Sequence, residues 1–205
     1  MGVRGTSLGR QLGPGLMGTF TWWGRPFRYH DHPYNTTALN ERAVELPIAF
    51  RWLDQRQGRG LEVGNVTGHY QPGRHRVVDL HEHADGVDNV DVFDVEGVYD
   101  WVLAISTVEH VRWDPPEEQQ PGGGLAAIWH LEGLLSPGGQ MLVTVPLGHN
   151  APLDAAILAG ETGAARACTF VRAAAGGWVQ TAEPAHRPYG ATTKWAESVW
   201  IGEWR

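Results

Sequence analysis

Short apolar runs that end at a glycine or a carboxylate recur through the middle of the chain. Their lengths, and the polar turns that bound them, are typical of β-strands. The run Tyr99–Ile105 is nearly all apolar, as expected of a central parallel strand that is buried on both faces. The pattern predicts strands at Leu61–Gly64, Val77–Asp79, Val90–Phe93, Tyr99–Ile105 and Gln140–Pro146.

Helical spacing is found on both sides of these strands. A helical pattern begins at Ala38, and Pro47 should break or kink it near Leu46, because proline lacks the N–H that a helix interior needs. Apolar positions recur at helical spacing over Leu125–Leu135, and Ser136–Gly139 should stop that helix and turn the chain. The C-terminal part predicts a helix near Leu153–Gly160 and strands at Thr169–Arg172, Trp178–Gln180 and Ser198–Trp204.

This alternation of strands and helices predicts an α/β fold with a mostly parallel sheet. The second, third and fourth strands follow one another closely, so some of the connecting helices must be short or degenerate. In an open parallel sheet, ligands bind outside the carboxyl ends of the strands, where the strand order reverses. The residues that follow each predicted strand are therefore the first candidates for a binding site.

Composition and charge narrow the class of protein. The chain has 205 residues, of which 42% are hydrophobic and 19% charged, which fits one globular domain. Its formal net charge of −7 argues against a binder of duplex nucleic acid and against electrostatic attachment to a membrane. The single cysteine, Cys168, excludes an intrachain disulfide and a cysteine-based zinc cluster. Without a signal peptide or a run of ~20 apolar residues, we expect a cytoplasmic protein.

The N-terminal segment differs from the rest in composition. Met1–Phe20 is rich in glycine, and Thr21–Thr37 is dense in aromatic and polar side chains. We expect residues 1–37 to form a flexible tail and a lid, and residues 38–205 to form a single domain. Tyr29–Asn35 holds candidates for lid or substrate contacts.

Carboxylates accompany three consecutive predicted strands. Glu62 lies where the first strand enters a glycine-bearing turn, Asp79 ends the second, and Asp94 follows the third. A carboxylate at the second position can accept hydrogen bonds from both hydroxyls of a ribose, and one at the third from the amino group of an adenine. Three acids at neighbouring strand ends match an adenosine-type ligand that carries no phosphate. So acidic an edge of the sheet would disfavour a phosphate.

These residues resemble the class I S-adenosylmethionine-dependent methyltransferases. Glu62-x-Gly64-x-Val66-x-Gly68 is similar to the first motif of that family, although Val66 stands where the family has its middle glycine. Asp79 looks like the ribose-binding acid of the family. The likeness covers roughly residues 61–146. Within this range, the further segments that resemble the family are Tyr99–Ser106, Val108–Val111, Leu134–Gly139 and Leu142–Pro146.

The resemblance implies a Rossmann-like three-layer sandwich, with a mostly parallel seven-stranded sheet whose last strand is reversed. It also implies S-adenosylmethionine as cofactor and methyl transfer to a small-molecule acceptor, which we expect to be a hydroxyl of a sugar or natural product. Glu82 could share the ribose role, and either Asp91 or Asp94 would meet the adenine, with Asp94 favoured by strand position. The residues expected at the cofactor are Glu62, Gly64, Asn65, Gly68, Asp79, Asp94 and Ser106.

Catalytic candidates follow the fourth and fifth strands. His110 could act as general base on a hydroxyl, because an ordinary imidazole pKa near 6.5 suits proton removal near neutrality. Glu109 beside it and His149 after the fifth strand are further candidates. Some members of the family hold a divalent cation with a Glu-x-x-Glu-His run at this point. Ser106 replaces the first of those acids, so a divalent metal ion held by Glu109 and His110 is possible but not favoured.

Two other functions stay open at this level. The departures at Val66 and Ser106 would also fit a module that binds the cofactor without catalysis and works as a partner or regulatory subunit. A nicotinamide-dependent oxidoreductase would need a Gly-x-Gly-x-x-Gly turn, which the run from Gly64 to Gly68 lacks. No nucleic-acid or membrane partner is expected. The sequence leaves the oligomeric state open, a homodimer included.

Overall fold

A computed structural model describes residues 18–71, 73–174, 176–182, 184–191 and 193–205 of the chain. Its strands are β1 (Thr19–Trp22), β2 (Arg25–Arg28), β3 (Gly60–Val63), β4 (Arg76–Val78), β5 (Val87–Asp88), β6 (Tyr99–Ile105), β7 (Leu135–Pro146), β8 (Arg166–Arg172), β9 (Trp178–Thr181) and β10 (Ser198–Trp204). Its helices are α1 (Arg42–Leu53), α2 (Gly123–Gly133) and α3 (Ala151–Leu158). Short 3-10 turns occupy Tyr34–Leu39, Thr67–His69, Val92–Asp94, Val108–His110 and Pro116–Glu118.

Strands β3 to β10 form one sheet, in the order β5-β4-β3-β6-β7-β10-β8-β9. Strands β5, β4, β3, β6 and β7 pair in parallel, whereas β10 runs antiparallel to both β7 and β8. The predicted Rossmann-like sheet, mostly parallel with a reversed last strand, is confirmed. It has eight strands rather than seven, because Trp178–Thr181 adds an antiparallel edge strand beside β8.

Helices cover both faces of the sheet and give three layers. On one face, Ile128 and Leu131 of α2 and Ile157 of α3 belong to one buried apolar cluster. On the other face, Leu46 of α1 and Trp22 of the β1–β2 hairpin belong to a second. Burial of each such side chain stabilises the fold by about 2 kcal/mol, so apolar contacts hold both outer layers on the sheet. Within the described residues, no helix has the length and apolar character to cross a membrane.

Pro47 does not break the first helix near Leu46, which was one of the two effects predicted for it. Helix α1 runs from Arg42 to Leu53 with Pro47 inside it. A proline at that position leaves the carbonyl of Ala43, four residues earlier, without its helical N–H partner. This carbonyl accepts a hydrogen bond from the backbone N–H of His30 at 3.0 Å. The acceptor that proline frees therefore attaches the N-terminal segment to the helix.

The third predicted strand, Val90–Phe93, is wrong. Strand β5 covers only Val87–Asp88, and Val92–Asp94 forms a 3-10 turn. The carboxylate of Asp91 accepts a hydrogen bond from the N–H of Phe93 at 3.0 Å and caps this turn. This hydrogen bond within the turn competes with pairing to the sheet. The chain therefore leaves the sheet before the apolar run Val90–Phe93 begins.

Two connections differ from a regular α/β unit. The connection from β3 to β4 contains the 3-10 turn Thr67–His69, and the connection from β5 to β6 contains the 3-10 turn Val92–Asp94, a short link of the kind that the close spacing of the second to fourth strands predicted. Ser136–Gly139, predicted to turn the chain after α2, instead forms the irregular start of β7. Leu135 pairs with Tyr99, and regular pairing resumes only at Gln140, so the residues between them bulge from the strand.

The β1–β2 hairpin docks on the sheet. Phe20 and Trp22 are buried, and Phe20 meets Phe170 of β8 edge-on with ring centroids 5.4 Å apart. The backbone N–H of Trp23 donates a hydrogen bond to Gln180 of β9 at 2.8 Å. The aromatic side chains of this hairpin therefore belong to the core on the α1 face. Residues 1–17 of the predicted tail lie outside the described residues.

Candidate functional site

A cavity of about 700 Å³ lies at the carboxyl ends of β3, β4 and β6. Strands β3 and β6 are neighbours, and the sheet continues to β4 on one side and to β7 on the other, so the strand order reverses between them. Ligands of open parallel sheets bind at this switch point. The cavity also has the size of a small-molecule site, about 300–1,000 Å³.

Glu62 shapes the first loop of the site from beneath. Its side chain is fully buried, and its carboxylate accepts hydrogen bonds from the backbone N–H groups of Val66 at 3.1 Å and Thr67 at 2.7 Å. The hydroxyl of Thr67 and the Nε2 atom of His75 also bond to this carboxylate. Glu62 therefore holds the turn in its conformation and does not line the cavity, although the sequence predicted it at the cofactor.

Gly64 and Gly68 play different parts in the same loop. Gly64 has a φ of +82° and lies on the cavity wall, and a Cβ added there would come within 2.1 Å of the Thr107 hydroxyl. Gly68 is exposed and lies off the cavity wall, and a Cβ there would meet the Asn65 side chain at 2.4 Å. Of the two glycines, Gly64 lies on the cavity wall and Gly68 does not.

Val66, the departure from the family motif, fits without strain. Its φ of −96° is one that valine adopts readily, and Glu62 holds its N–H. Its side chain lies on the cavity wall and packs against the apolar cluster of the α1 face. A glycine is therefore not required at this position, and the valine adds apolar surface to the cavity.

Two carboxylates face the cavity after β4. One oxygen of Asp79 accepts hydrogen bonds from the N–H groups of His81 and Glu82, at 2.9 and 2.8 Å, and the other from the N–H of Asn65 at 3.3 Å. Glu82 bonds to the side-chain amide of Asn65 at 2.6 Å and to His69 at 3.0 Å. The predicted ribose acid and its alternative thus stand side by side.

Of the two candidates for the adenine end, Asp91 lines the cavity and Asp94 does not. Asp94 is exposed at the end of the Val92–Asp94 turn. The Oδ2 atom of Asp91 pairs with Arg112 across the cavity wall at 2.7 Å. The sequence favoured Asp94 because it placed the strand at Val90–Phe93, whereas with the shorter β5 it is Asp91 that lies at the cavity.

Ser106 stands at the end of β6 in an unusual conformation. Its φ is +41°, in the left-handed region that serine adopts only at a cost. Its hydroxyl donates a hydrogen bond to the buried carboxylate of Glu45 at 2.7 Å, and its N–H donates to the carbonyl of Thr144 at 3.0 Å. Arg42 pairs with the other oxygen of Glu45 at 2.6 Å and lines the cavity. A buried ion pair therefore fixes the Ser106 turn.

Glu109 is directed into the protein rather than into the cavity. Its side chain is buried and is not part of the cavity wall. Burial raises the pKa of Glu109 well above its ordinary value, and the nearby carboxylates of Glu45 and Glu41 add to this effect. The prediction that Glu109 takes part in catalysis therefore finds no contact with the cavity to support it.

Three polar side chains come together on the β6–β7 side of the site. The Oδ2 atom of Asp114 lies 2.5 Å from Nδ1 of His110 and 2.9 Å from Nε2 of His149. The side chains are 52%, 39% and 29% exposed for His110, Asp114 and His149, and the first two line the cavity. Burial lowers the pKa of His110, partly offset by its hydrogen bond to Asp114. We call this set the His-Asp-His cluster.

The N-terminal segment also reaches the cavity. Tyr34 and Asn35 line it, and the Tyr34 ring stacks on His69 with centroids 4.4 Å apart. These two residues belong to the segment in which the sequence predicted lid or substrate contacts. The sequence did not point to Arg42, Arg112 or Asp114, whereas Thr107 lies in the stretch Ser106–His110 that the strand-end rule indicated. Of the first three, only Asp114 had a signal, its spacing of four residues from His110.

No protein-family model and no curated protein sequence matches this chain. Solved structures match it at low identity. N-methyltransferase NodS from Bradyrhizobium japonicum, in complex with S-adenosyl-L-homocysteine, is 13% identical, with 80% of this chain and 87% of that chain covered and a TM-score of 0.45. Precorrin 8w decarboxylase from Methanobacterium thermoautotrophicum is 14% identical, with 78% and 89% covered and a TM-score of 0.41.

A complex named DhpI–SAM–HEP is 16% identical, with 78% of this chain and 85% of that chain covered and a TM-score of 0.36. The solved structures similar to this chain thus include methyltransferases. The Rossmann-like class of the chain rests on its own strand order and on the reversed strand β10.

Proposed function

We propose that this protein transfers the methyl group of S-adenosylmethionine to a small-molecule acceptor. The observation that carries the proposal is one cavity wall at the strand ends that combines the turn at Gly64, the carboxylates of Asp79 and Glu82 after β4, and Asp91 after β5. Carboxylates accept hydrogen bonds from ribose hydroxyls and from an amino group, and they repel a phosphate. The wall therefore suits an adenosine that carries no phosphate.

The cationic side chains on the wall support this choice of ligand. Arg42 is engaged by Glu45 at 2.6 Å and Arg112 by Asp91 at 2.7 Å, so both charges are balanced within the protein. A nucleotide phosphate would instead need free N–H donors or unpaired cations. The missing Cβ at Gly64 leaves room for the Thr107 side chain, so the turns after β3 and β6 pack closely together at the switch point.

Roles follow from position along the sheet. Asp79 and Glu82 would hold the ribose hydroxyls, Asp91 the adenine amino group, and Gly64 and Asn65 the part of the cofactor nearest β3. When bound, the cofactor supplies an electrophilic methyl group on a sulfonium. The protein has to hold the acceptor atom in line with that methyl group and keep competing water away.

Three other predicted cofactor residues would act through the shape of the site. Glu62 anchors the loop from its buried position, and Gly68 leaves room for the Asn65 side chain. Ser106 lines the cavity, but its hydroxyl is turned to Glu45. Its contribution to the cofactor would come from the backbone at the end of β6.

We further propose that the acceptor is a hydroxyl of a sugar or natural product. The His-Asp-His cluster supports this proposal, because a hydroxyl has to lose its proton during transfer and the cluster presents imidazoles at the β6–β7 side of the cavity. His110 belongs to the wall itself, while His149 reaches it through Asp114. The direct action of His110 as base stays a prediction.

Calorimetric titration of the folded full chain with S-adenosyl-L-homocysteine tests the cofactor. We expect one site, weakened at least about tenfold by Asp79→Ala, since hydrogen bonds to a charged group contribute about 1.5–3 kcal/mol. Asp94→Ala is the matched control, because Asp94 lies off the cavity wall, and it should leave the affinity within about twofold. A folded wild-type sample that binds none of the product would overturn the proposal.

A cofactor-binding module without catalysis is the second candidate. It is favoured by Ser106, whose hydroxyl is committed to Glu45 at 2.7 Å. Both candidates predict cofactor binding, so a panel of hydroxyl, amine and carbon acceptors with labelled cofactor separates them. Methyl transfer to any acceptor supports the enzyme, whereas tight binding with no transfer supports the module.

A further inference from the structure

We propose that the His-Asp-His cluster is a binding site for one divalent transition-metal ion. The ligand atoms would be Nδ1 of His110, an Oδ atom of Asp114 and Nε2 of His149. Two imidazoles and one carboxylate form a donor set that Zn²⁺ and its first-row neighbours bind well. The proposal that the site binds metal stands on this geometry, whereas a role of the ion in methyl transfer rests on the proposed function.

The three ligand atoms already lie at nearly the right separation. All three are within 4.8 Å of one another, and the Asp114 oxygen lies 2.5 Å and 2.9 Å from the two imidazole nitrogens. Ligands about 2.1 Å from a tetrahedral ion are roughly 3.4 Å apart. Side-chain shifts of under about 1 Å would therefore open the cluster around an ion.

Backbone contacts hold the residues of the cluster in place. His110 ends the 3-10 turn Val108–His110, and the N–H of Asp114 donates back to the His110 carbonyl at 3.2 Å. The indole N–H of Trp113 donates to the carbonyl of His149 at 2.9 Å and ties the β7 loop to the same turn. A site whose residues are positioned before the ion arrives loses less entropy on binding.

The site would leave a coordination position for a substrate. His110 and Asp114 form part of the cavity wall, and their side chains are 52% and 39% exposed. One carboxylate and two neutral imidazoles around a divalent ion leave a net charge of +1, which favours an anionic oxygen as a further ligand. An acceptor alkoxide is such an oxygen.

This site differs from the Glu-x-x-Glu-His run with which some members of the methyltransferase family hold a divalent cation. That run would use acids at positions 106 and 109 together with His110, which the His-Asp-His cluster shares. Here position 106 is a serine bonded to Glu45, and Glu109 is buried away from the cavity. The carboxylate at the cluster comes instead from Asp114, which the sequence analysis did not single out.

In the proposed reaction the ion would act on the acceptor. A hydroxyl oxygen bound to it has a lowered pKa and loses its proton to solvent. That oxygen then forms a bond to the methyl carbon as the carbon–sulfur bond breaks. The bonding electron pair stays on sulfur, and the neutral thioether product leaves. His110 would in that case serve as a ligand rather than as the base.

Titration of chelator-treated full-length protein with Zn²⁺ alone tests the site. We expect one ion per chain, with at least about a tenfold loss of affinity, or about 1.4 kcal/mol, in Asp114→Ala and in His149→Ala. His83→Ala is the matched control, because this exposed histidine bonds to Asn89, outside the cluster and the cavity wall, and its affinity should equal that of the wild type.

Two outcomes would overturn the proposal. In the first, the wild type binds no Zn²⁺. In the second, the wild type and the two cluster variants bind Zn²⁺ with the same affinity. Either result would mean that the His-Asp-His cluster is held by hydrogen bonds alone. Circular dichroism and titration with S-adenosyl-L-homocysteine on the same samples establish that each variant is folded. Retained cofactor-product binding without Zn²⁺ binding would refute the metal site alone, and the reverse result would refute the proposed function alone.

Discussion

Single residues of the β3 loop show how far a motif can be interpreted from sequence. The spacing of Glu62, Gly64 and Gly68 identified the loop correctly as part of the cavity region. It could not separate the residue that faces the ligand from the residue that supports the loop. Only burial makes that distinction, and it places the Glu62 carboxylate under the turn. A motif specifies a backbone path more reliably than it specifies contacts.

Gly64→Ala should destabilise the protein by about 2 kcal/mol or more. The change forces an alanine to a φ of +82° and brings its Cβ within 2.1 Å of the Thr107 hydroxyl. Urea denaturation measures the free energy of unfolding. Gly86→Ala is the control, because Gly86 has the same φ of +82° with nothing within 4 Å of the added Cβ.

Gly86→Ala should lower the free energy of unfolding only by the conformational strain, about 1 kcal/mol. The difference between the two variants then isolates the contact with Thr107. Equal losses would show that the Thr107 side chain moves aside freely and that the turn tolerates a larger residue.

The thiol of Cys168 should be inert in the native protein. Cys168 is buried in β8, and burial raises the pKa of its thiol to about 12. Since the thiolate is the reactive form, a thiol reagent at pH 8 should label the folded protein far more slowly than the protein in denaturant. The labelling is followed by the absorbance change of the thiol reagent. Because the chain has one cysteine, this change reports Cys168 alone. Comparable rates in the two conditions would contradict the burial.

At the scale of elements, the length of a strand decided how well its position could be predicted from the sequence. The seven-residue strands β6 and β10 occur where their apolar patterns placed them, at Tyr99–Ile105 and Ser198–Trp204. The two-residue strand β5 was misplaced, because pairing with β4 and the Asp91 cap outweigh a local apolar run. The helix continues past Pro47 for a related reason, because the carbonyl that proline frees accepts a hydrogen bond from His30, a contact that sequence does not show.

The β1–β2 hairpin should contribute to the stability of the fold. Trp22→Ala removes a buried indole from the α1 face and should lower the free energy of unfolding by about 3–5 kcal/mol. Trp129→Ala, at a side chain that is 52% exposed, is the control and should cost under about 1 kcal/mol. Chemical denaturation monitored by circular dichroism gives both values. A loss at Trp22 no larger than at Trp129 would mean that the hairpin is not part of the core.

At the scale of the whole molecule, the sheet order creates the site. Strands far apart in sequence place their carboxyl ends side by side, so the turns after β3, β4 and β6 enclose one cavity. The sequence predicted this meeting from the general rule for parallel sheets, and five of the ten candidate residues line the cavity, namely Gly64, Asn65, Asp79, Ser106 and His110. It missed Arg42 and Arg112, because their approach depends on how α1 and the loop after β6 pack in three dimensions.

Hydrogen exchange should follow the position of each strand in the sheet. The amides of β6, which is flanked by β3 and β7, should exchange slowest, and those of β5 at the edge should exchange fastest. Mass spectrometry of exchanged peptides measures this order. Addition of S-adenosyl-L-homocysteine should slow exchange in the Gly64–Tyr70 loop more than in β9, which lies at the opposite edge. Uniform protection across the sheet would contradict the arrangement.

The Glu45 side chain has a consequence for how this chain can change over evolution. It lies on α1, yet it holds both the Ser106 hydroxyl and the Thr144 hydroxyl at 2.7 Å. A glutamate at position 106 would place a second buried carboxylate against the first, which is costly unless one of them is lost. We therefore expect positions 45 and 106 to be inherited as a pair, and relatives in which they vary independently would contradict this. A lineage that acquired an acid at the end of β6 would have to give up the one on the helix.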